Sequence, residues 1–391
     1  MMLRPYYAEI NLDSIRNNIK EVKRVVKDRR VIGVIKADAY GHGAVEVAKV
    51  LKEEGVDFFA VAIITEALEL RDAKIEDDIL VLGYTPEEYF ETAIKNNITL
   101  TIYDVNLAEK LNLVAQKMNK RAKVHIKIDT GMGRLGFLVG EEAKRDIKRI
   151  CALDNIYVEG IYSHFACADL MDKTYSKIQL EKFKWMIDEM EKEGISFKIK
   201  HMANSAAIID LEESYFDAVR PGIMLYGYYP SDEVDKTRVN LIPAMSLKAK
   251  VAMVKKVDKG TSISYGRQYI AESERLIATL PFGYADGFSR ILSGNAKVLI
   301  KGREVDVVGR ICMDQCMADV TEVEDVKIGD EVVVMGKSGD KIITADTIAQ
   351  RLGTISYEVL CMVSKRVPRI YKSATQVKCD IFQKAEHPDT K

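Results

Sequence analysis

The chain has 391 residues, 47% of them hydrophobic, and carries 58 Lys and Arg against 59 Asp and Glu, a formal net charge of −1. That length supports two domains or one large one, and the balanced charge leaves no electrostatic footprint for DNA or RNA. No apolar run approaches the ~18–20 residues of a membrane span, and the opening MMLRPYYAEI lacks the apolar segment of a secretory signal, so a soluble cytoplasmic protein is expected. The cysteines, at 151, 167, 312, 316, 361 and 379, form no CxxC pair and read as free thiols of a reducing compartment.

From residue 31 to about 220 short β-rich runs recur. They are VIGVIK (31–36), FFAVA (58–62), ILVLG (79–83), ITLTI (98–102), KVHIKI (123–128), IYVEGIYS (156–163), FKIKH (197–201) and YFDAVR (215–220). Most are separated by stretches with helical spacing of apolar residues, such as NLAEKLNLVAQKM (106–118) and YSKIQLEKFKWMIDEMEKE (175–193). Asp13 before SIRNNIKEV, Thr65 before Glu66, and Thr85 opening TPEE read as helix starts. Strand–helix alternation argues for a parallel sheet, and eight units in about 200 residues fit a (β/α)8 barrel. A doubly wound open sheet is the runner-up, but it needs fewer strands and usually carries GxGxxG, which is absent.

The texture changes after about residue 240. AMSLKAKVAMVKKV, LIATLPF, AKVLIKGREVDVVGRI, MADVTEV and DEVVVMG read as short strands of a mainly antiparallel β domain, with one late helix, ADTIAQRLG (345–353), ending on Gly353. The division is expected near YPSDEVDKTRVNLIP, giving a barrel over 1–240 and a β domain over 241–391. The polar tail beyond Tyr371 is expected to be poorly ordered.

In a (β/α)8 barrel the carboxyl ends of the strands hold the active site. Those ends supply Lys36 with Tyr40, Arg134 after KVHIKID, His164, His201 with ANS (203–205), and Arg220 with PGI (221–223). A single lysine or histidine in such a place is ordinarily a solvated cap or a structural residue. The repetition at one end is what points to chemistry. A lysine closing a buried strand has its pKa lowered by desolvation and can form a Schiff base with an aldehyde. If that aldehyde carries a phosphate, the phosphate needs donors. Tyr40, Ser205, Tyr357 and the backbone N–H groups of Gly222 and Ile223 can serve, the last two from a glycine turn that lets the backbone approach closely. That set describes pyridoxal 5'-phosphate (PLP).

The motifs VIKADAYGHGA, IDTGMGRLG, YSHFACAD, MANSAA, VRPGIMLYG, SISYGR, PFGYADGFSR and GRICMDQ, in this order over residues 5–371, resemble the alanine racemase family from end to end. The resemblance implies an N-terminal TIM-like barrel and a C-terminal β domain in a head-to-tail homodimer with shared sites. It implies PLP on Lys36, interconversion of L- and D-alanine, and D-alanine supply for bacterial peptidoglycan. Lys36 would act as one acid/base and Tyr265, from the other subunit, as the opposite one, since inversion needs a base and an acid on opposite faces. Arg220 would face the PLP ring nitrogen, with His164 holding it. Arg134 would meet the substrate carboxylate, with Met313 N–H helping across the interface, and Tyr265, Tyr284 and Tyr357 belong to the implied substrate and cofactor pocket. The alternation in HIKID puts His125, Lys127 and Asp129 on one face. Two unpaired cations, Lys127 and Arg134, inside a barrel would be costly, and the resemblance implies that Lys127 is a candidate for carbamylation.

Other readings remain at this point. A racemase of broader or serine specificity fits the same residues. A basic-amino-acid decarboxylase of the same two-domain type would place a glutamate at Arg220. A PLP-binding protein made of a lone barrel would lack Tyr265 and the β domain. A zinc site on Cys312 and Cys316 lacks companion ligands.

Overall fold

The eight apolar runs become the staves of one closed ring. The computed structural model describes residues 4–374 and the backbone of residues 376–379. The strands Arg30–Val34, Phe58–Val61, Asp78–Val81, Thr99–Ile102, Ala122–Asp129, Ile156–Tyr162, Ile199–His201 and Ala218–Val219 pair in parallel, each with the next. The last closes on the first, Ala218 opposite Arg30 and Val219 opposite Val31. Phe58–Val61 and Thr99–Ile102 are buried throughout, as expected of strands covered on both faces. The last two strands are shorter than their sequence runs chiefly because they begin late, at Ile199 rather than Phe197 and at Ala218 rather than Tyr215.

The helices between the strands follow the apolar spacing. Val105–Lys117 is capped by Asp104, whose side chain accepts the Leu107 N–H, and Thr174–Lys192 is the longest helix of the barrel unit. Three expected starts shift. Helix Leu12–Val26 begins before Asp13, and Asn11 accepts the Asp13 N–H at 2.9 Å. Asp13 thus lies in the first turn, where a negative charge meets the positive end of the helix dipole. Thr65 lies inside helix Ile64–Asp72, which is capped from within by Glu66 reaching back to the Ala62 and Ile63 N–H groups. TPEE opens a 3-10 turn, Glu87–Tyr89, before helix Phe90–Lys95.

The second compact unit runs through Asp13, takes Tyr40–His42, and resumes at Pro243. Its main sheet is mostly antiparallel. The first strand of the chain, Tyr6–Asn11, lies inside this sheet, antiparallel to Met245–Lys250 and parallel to Arg369–Ser373. The expected division at 1–240 therefore misplaces the N-terminal segment. YYAEIN is bonded along both edges here, and Tyr6 stacks on Phe282 at 4.7 Å. The late helix Ala345–Leu352 ends at Gly353, whose φ of +72° only glycine adopts readily. Beyond Tyr371 the strand continues to Ser373 and pairs with Gln376–Cys379, so the first part of the expected loose tail is a hairpin; the remainder of that tail lies outside the described residues.

Candidate active site

The strand expected to end on Lys36 ends at Val34, and Lys36 opens the short helical turn Lys36–Gly41. The hand of that turn is unusual. Ala37, Asp38, Ala39 and Tyr40 have φ of +53°, +53°, +51° and +52°. Left-handed backbone costs a non-glycine residue ~1–2 kcal/mol, so four in a row cost on the order of 4–8 kcal/mol. Strain of that size persists only where the surroundings over-determine it, typically at functional sites. The Ala37 N–H donates to Glu66 Oε1 at 2.6 Å, and Ala39 N–H to Ile35 O at 2.9 Å. Asp38 accepts twice, its carbonyl from Gly43 N–H at 2.9 Å and its Oδ1 from Ala44 N–H at 2.8 Å.

Arg220 leaves the last strand and is buried with acceptors around it. Nη1 donates to His201 Nδ1 at 2.7 Å; Nη2 donates to Ser163 O at 2.7 Å, Met202 O at 3.1 Å and His164 Nδ1 at 3.2 Å. Its guanidinium lies 5.2 Å from the centre of the Tyr162 ring. Burial pulls its pKa down to about 10, so it stays charged at neutral pH. Burial, and next the Arg220 charge, hold His201 and His164 well below the usual imidazole value, so both are neutral.

These contacts fix the tautomers. Guanidinium only donates, so His201 Nδ1 is a bare nitrogen and its proton is on Nε2. That Nε2–H donates to His125 Nδ1 at 2.8 Å, and the His125 Nε2–H then faces the Glu159 carboxylate at 3.6 Å. A polar file of two imidazoles thus crosses the barrel core from Glu159 to Arg220. The sequence assigned the support of Arg220 to His164. The structure gives the shorter bond to His201 and adds Tyr162, His125 and Glu159. Strand alternation in KVHIKID, which faces His125 inward with Lys127, was the available signal for His125.

Lys127 is buried, and its Nζ has no hydrogen-bond acceptor among the described residues. It lies 4.6 Å from the centre of the Tyr162 ring. Burial pushes its pKa well down, with the Arg220 and then the Arg134 charges adding, which favours the uncharged amine. Arg220 is thus the stronger cationic neighbour, where Arg134 was expected. Arg134 itself is exposed, on a loop that Asp129 organises by accepting the Gly131 and Gly133 N–H groups at 2.8 and 3.1 Å. Burial works against the Asp129 carboxylate, but those N–H groups hold its pKa below the ordinary value. The loop closes at Gly136, where a Cβ would fall 2.4 Å from Asp129 N.

Ser205 opens helix Ser205–Asp210, and its Oγ accepts the Gly222 N–H at 2.9 Å. Ile223 begins the next 3-10 turn. In the barrel unit the structure therefore brings together Lys127, His164, Arg220 and, through the field felt at His164, Lys36 and Arg134; Ser205, Gly222 and Ile223 form a second small group.

The remaining expected residues lie in the second unit, in two places. Tyr40 and Tyr357 have ring centres 6.0 Å apart, and burial raises the Tyr40 phenol above its ordinary value. Elsewhere Ser264 Oγ donates to Arg310 O at 2.5 Å, Tyr284 N–H to Cys312 O at 3.1 Å and Ala285 N–H to Met313 O at 3.0 Å. These bonds gather three loops that display Tyr265, Tyr284 and Met313, exposed to 68%, 40% and 52%.

A closed (β/α)8 barrel with charged and polar groups at the carboxyl ends of its strands is an enzyme architecture, and the antiparallel unit joined to it narrows the class. The profile for "Alanine racemase, N-terminal domain" matches residues 10–230, and that for "Alanine racemase, C-terminal domain" matches residues 244–371. Alanine racemase 1 of Clostridium acetobutylicum is 52% identical over 369 residues, 94% of this chain and 96% of that protein. The structure of the alanine racemase of Clostridium difficile 630 superposes with a TM-score of 0.94 at 49% identity, covering 97% and 98% of the two chains. That of Bacillus anthracis, with bound L-Ala-P, gives 0.92 at 38% identity, over 96% and 97%. The chain belongs to the alanine racemase family, and it is an enzyme of that kind.

Proposed function

We propose that the protein interconverts L- and D-alanine with PLP as its cofactor, through two acid/base groups on opposite faces of the substrate, and that the D-alanine serves bacterial peptidoglycan. The observation that carries the reading is Arg220. It is a buried guanidinium, charged at neutral pH and held by four neutral acceptors, and no carboxylate among the described residues pairs with it. A guanidinium so placed suits a pyridine nitrogen that must be bonded but not protonated, which favours a racemase over a decarboxylase with a glutamate there.

The donor set also fits the phosphate. Ser205 Oγ and the Gly222 N–H lie one hydrogen bond apart at the start of a 3-10 turn that Ile223 opens. Ser205, Gly222, Ile223 and Arg220 would hold the cofactor with Lys36, and the family resemblance adds His164, Tyr40 and Tyr357. Bound there, PLP makes the α-proton of an amino acid acidic by drawing electron density into its ring. Lys36 takes or returns that proton on the face that D-alanine presents, as the family resemblance implies. Tyr265 of the partner subunit does so on the other, and Arg134 with the partner subunit's Met313 orients the carboxylate. The three exposed side chains Tyr265, Tyr284 and Met313 support this assembly, since a cluster of that kind suits burial in a homodimer. Tyrosines around the substrate favour a small side chain, alanine first and serine more slowly.

Lys127 completes the reading. A neutral, buried amine beside two arginines attacks CO2: an N–C bond forms, one N–H proton leaves to water, and the resulting carbamate is an anion that both guanidinium groups favour.

Borohydride reduction of the yellow holoenzyme, followed by peptide mapping, should place the cofactor on Lys36. A map that places it on another lysine overturns the assignment.

A further inference from the structure

We infer that Glu66 is a positioning residue for Lys36: its carboxylate fastens the left-handed turn after the lysine and so sets the face on which the amine works. The inference rests on the acid/base reading of Lys36 above.

Capping helix Ile64–Asp72 occupies only one oxygen of Glu66. Oε2 accepts the Ala62 N–H at 2.7 Å and the Ile63 N–H at 3.3 Å. Oε1 accepts the Ala37 N–H at 2.6 Å, a bond the cap does not need. One carboxylate therefore ties the start of the helix after the second barrel strand to the residue that follows Lys36 on the first. Those two strands run paired through Val34 and Ala60, and Ile35 N–H still donates to Ala60 O at 2.9 Å. The Glu66 bridge takes over two residues later, where the ladder has ended.

The geometry of that bond matters for the lysine. The Ala37 N–H belongs to the peptide plane between residues 36 and 37. With the strand held on one side by the Ile35 bond to Ala60, holding this plane on the other side restricts both φ and ψ of Lys36, and so the direction of its Cα–Cβ bond. It also satisfies a donor at the start of a helical turn, where no bond within the turn is available. Without it the Ala37 end of the four strained residues, at φ of +51° to +53°, loses this clamp, while the Ala39 bond to Ile35 and the Asp38 bonds to Gly43 and Ala44 hold the rest of the turn. The sequence gives the reason for this device. Alanine, aspartate, alanine and tyrosine have no intrinsic preference for left-handed backbone, so the hand of the turn is imposed from outside it.

The test uses the full-length holoenzyme and its cofactor-free form, with Glu66→Ala, Glu66→Gln and the exposed neighbour Thr65→Ala. Gln keeps the size of the side chain but turns an N–H donor toward one of the three N–H groups, so it carries the test if Ala fails to fold. Misplacing a reacting group by about 1 Å costs about 10²-fold. Glu66→Ala should lose roughly that in α-proton exchange from D-alanine, the face assigned to Lys36, and less than about tenfold from L-alanine, with Gln between. In the cofactor-free protein the Ala37 amide should exchange with deuterium roughly tenfold faster in Glu66→Gln, as loss of a bond to a charged acceptor implies. Thr65→Ala should change neither. Equal losses for the two antipodes, or an Ala37 amide still protected in Glu66→Gln, overturn the inference. Lys36→Ala separates this from the reading beneath it. If Lys36→Ala exchanges the D-alanine proton at the wild-type rate, the reading of Lys36 falls and the inference with it. If Lys36→Ala is inactive and Glu66→Gln misses its two marks, the inference alone falls.

Discussion

Replacing His201 with phenylalanine tests the support of Arg220 directly. The substitution keeps a ring that can lie flat on Tyr162, as His201 does at 4.7 Å with a 6° interplanar angle. It removes the acceptor for Arg220 Nη1 at 2.7 Å and the donor to His125 at 2.8 Å. A hydrogen bond to a charged group contributes about 1.5–3 kcal/mol and a neutral one about 0.5–1.5. The loss should therefore be about 2–4.5 kcal/mol at neutral pH. Trp185, the single tryptophan, stands on helix Thr174–Lys192 of the barrel unit and reports its unfolding in urea. The difference should depend on pH in a definite sense. His201 is held neutral in the fold, while the unfolded chain protonates it near 6.5. Acid thus favours the unfolded wild type, and stability present above about 6.5 is lost as pH falls, by up to ~1.4 kcal/mol per unit. Phenylalanine has no such group, so the gap between the two proteins should narrow below that pH. His201→Gln, which keeps an acceptor, should recover at least half of the loss. A cost under about 1 kcal/mol for phenylalanine, or a glutamine variant no better than it, would refute the argument.

Two other outcomes are expected. Tyr265→Phe should slow removal of the α-proton from L-alanine far more than from D-alanine, because the antipodes present that proton to opposite faces; comparable loss in both directions of isotope exchange would leave Tyr265 without a face. For Lys127, carbamylation needs the uncharged amine, which burial and the two arginines favour at neutral pH and acid removes. Carbon-13 bicarbonate should give a carbamate resonance at neutral pH that is absent in Lys127→Met, and activity lost in CO2-free, mildly acidic buffer should return with bicarbonate; a wild-type spectrum without that resonance rules the carbamate out.

Much of the framework was legible in the residue order. The eight strand runs, the helices at 106–118 and 175–193 and the stop at Gly353 all correspond to elements of the structure, because apolar period and turn chemistry are local. Helix starts were less legible. Asp13 and Thr65 are residues that cap well, but capping depends on which acceptor reaches the free N–H groups, and Asn11 and Glu66 reach them. The candidate residues of the barrel were readable as a group at one end of the strands, while the side chains that bond to them were not. His201 was noted only as a strand-end residue, and Glu159 gave no signal at all, since a glutamate within IYVEGIYS reads as an outward-facing residue.

What the sequence determined by itself is the alternation that closes a barrel, the change of texture after residue 240, and the residue types able to do the chemistry. Each follows from patterns spanning a few neighbours. The tertiary structure alone decided that Tyr6–Asn11 completes the sheet of the second unit, that two neutral histidines join Glu159 to Arg220, and that the turn after Lys36 is left-handed. In each case the deciding hydrogen-bond partner is distant in the chain: Arg369–Ser373 for the strand, His201 for His125, and Glu66 for Ala37. The residue types Ala, Asp, Ala and Tyr do not set the hand of that turn; its own bonds at Asp38 and Ala39 are joined by one from the Ala37 N–H to a carboxylate of the next strand–helix connection.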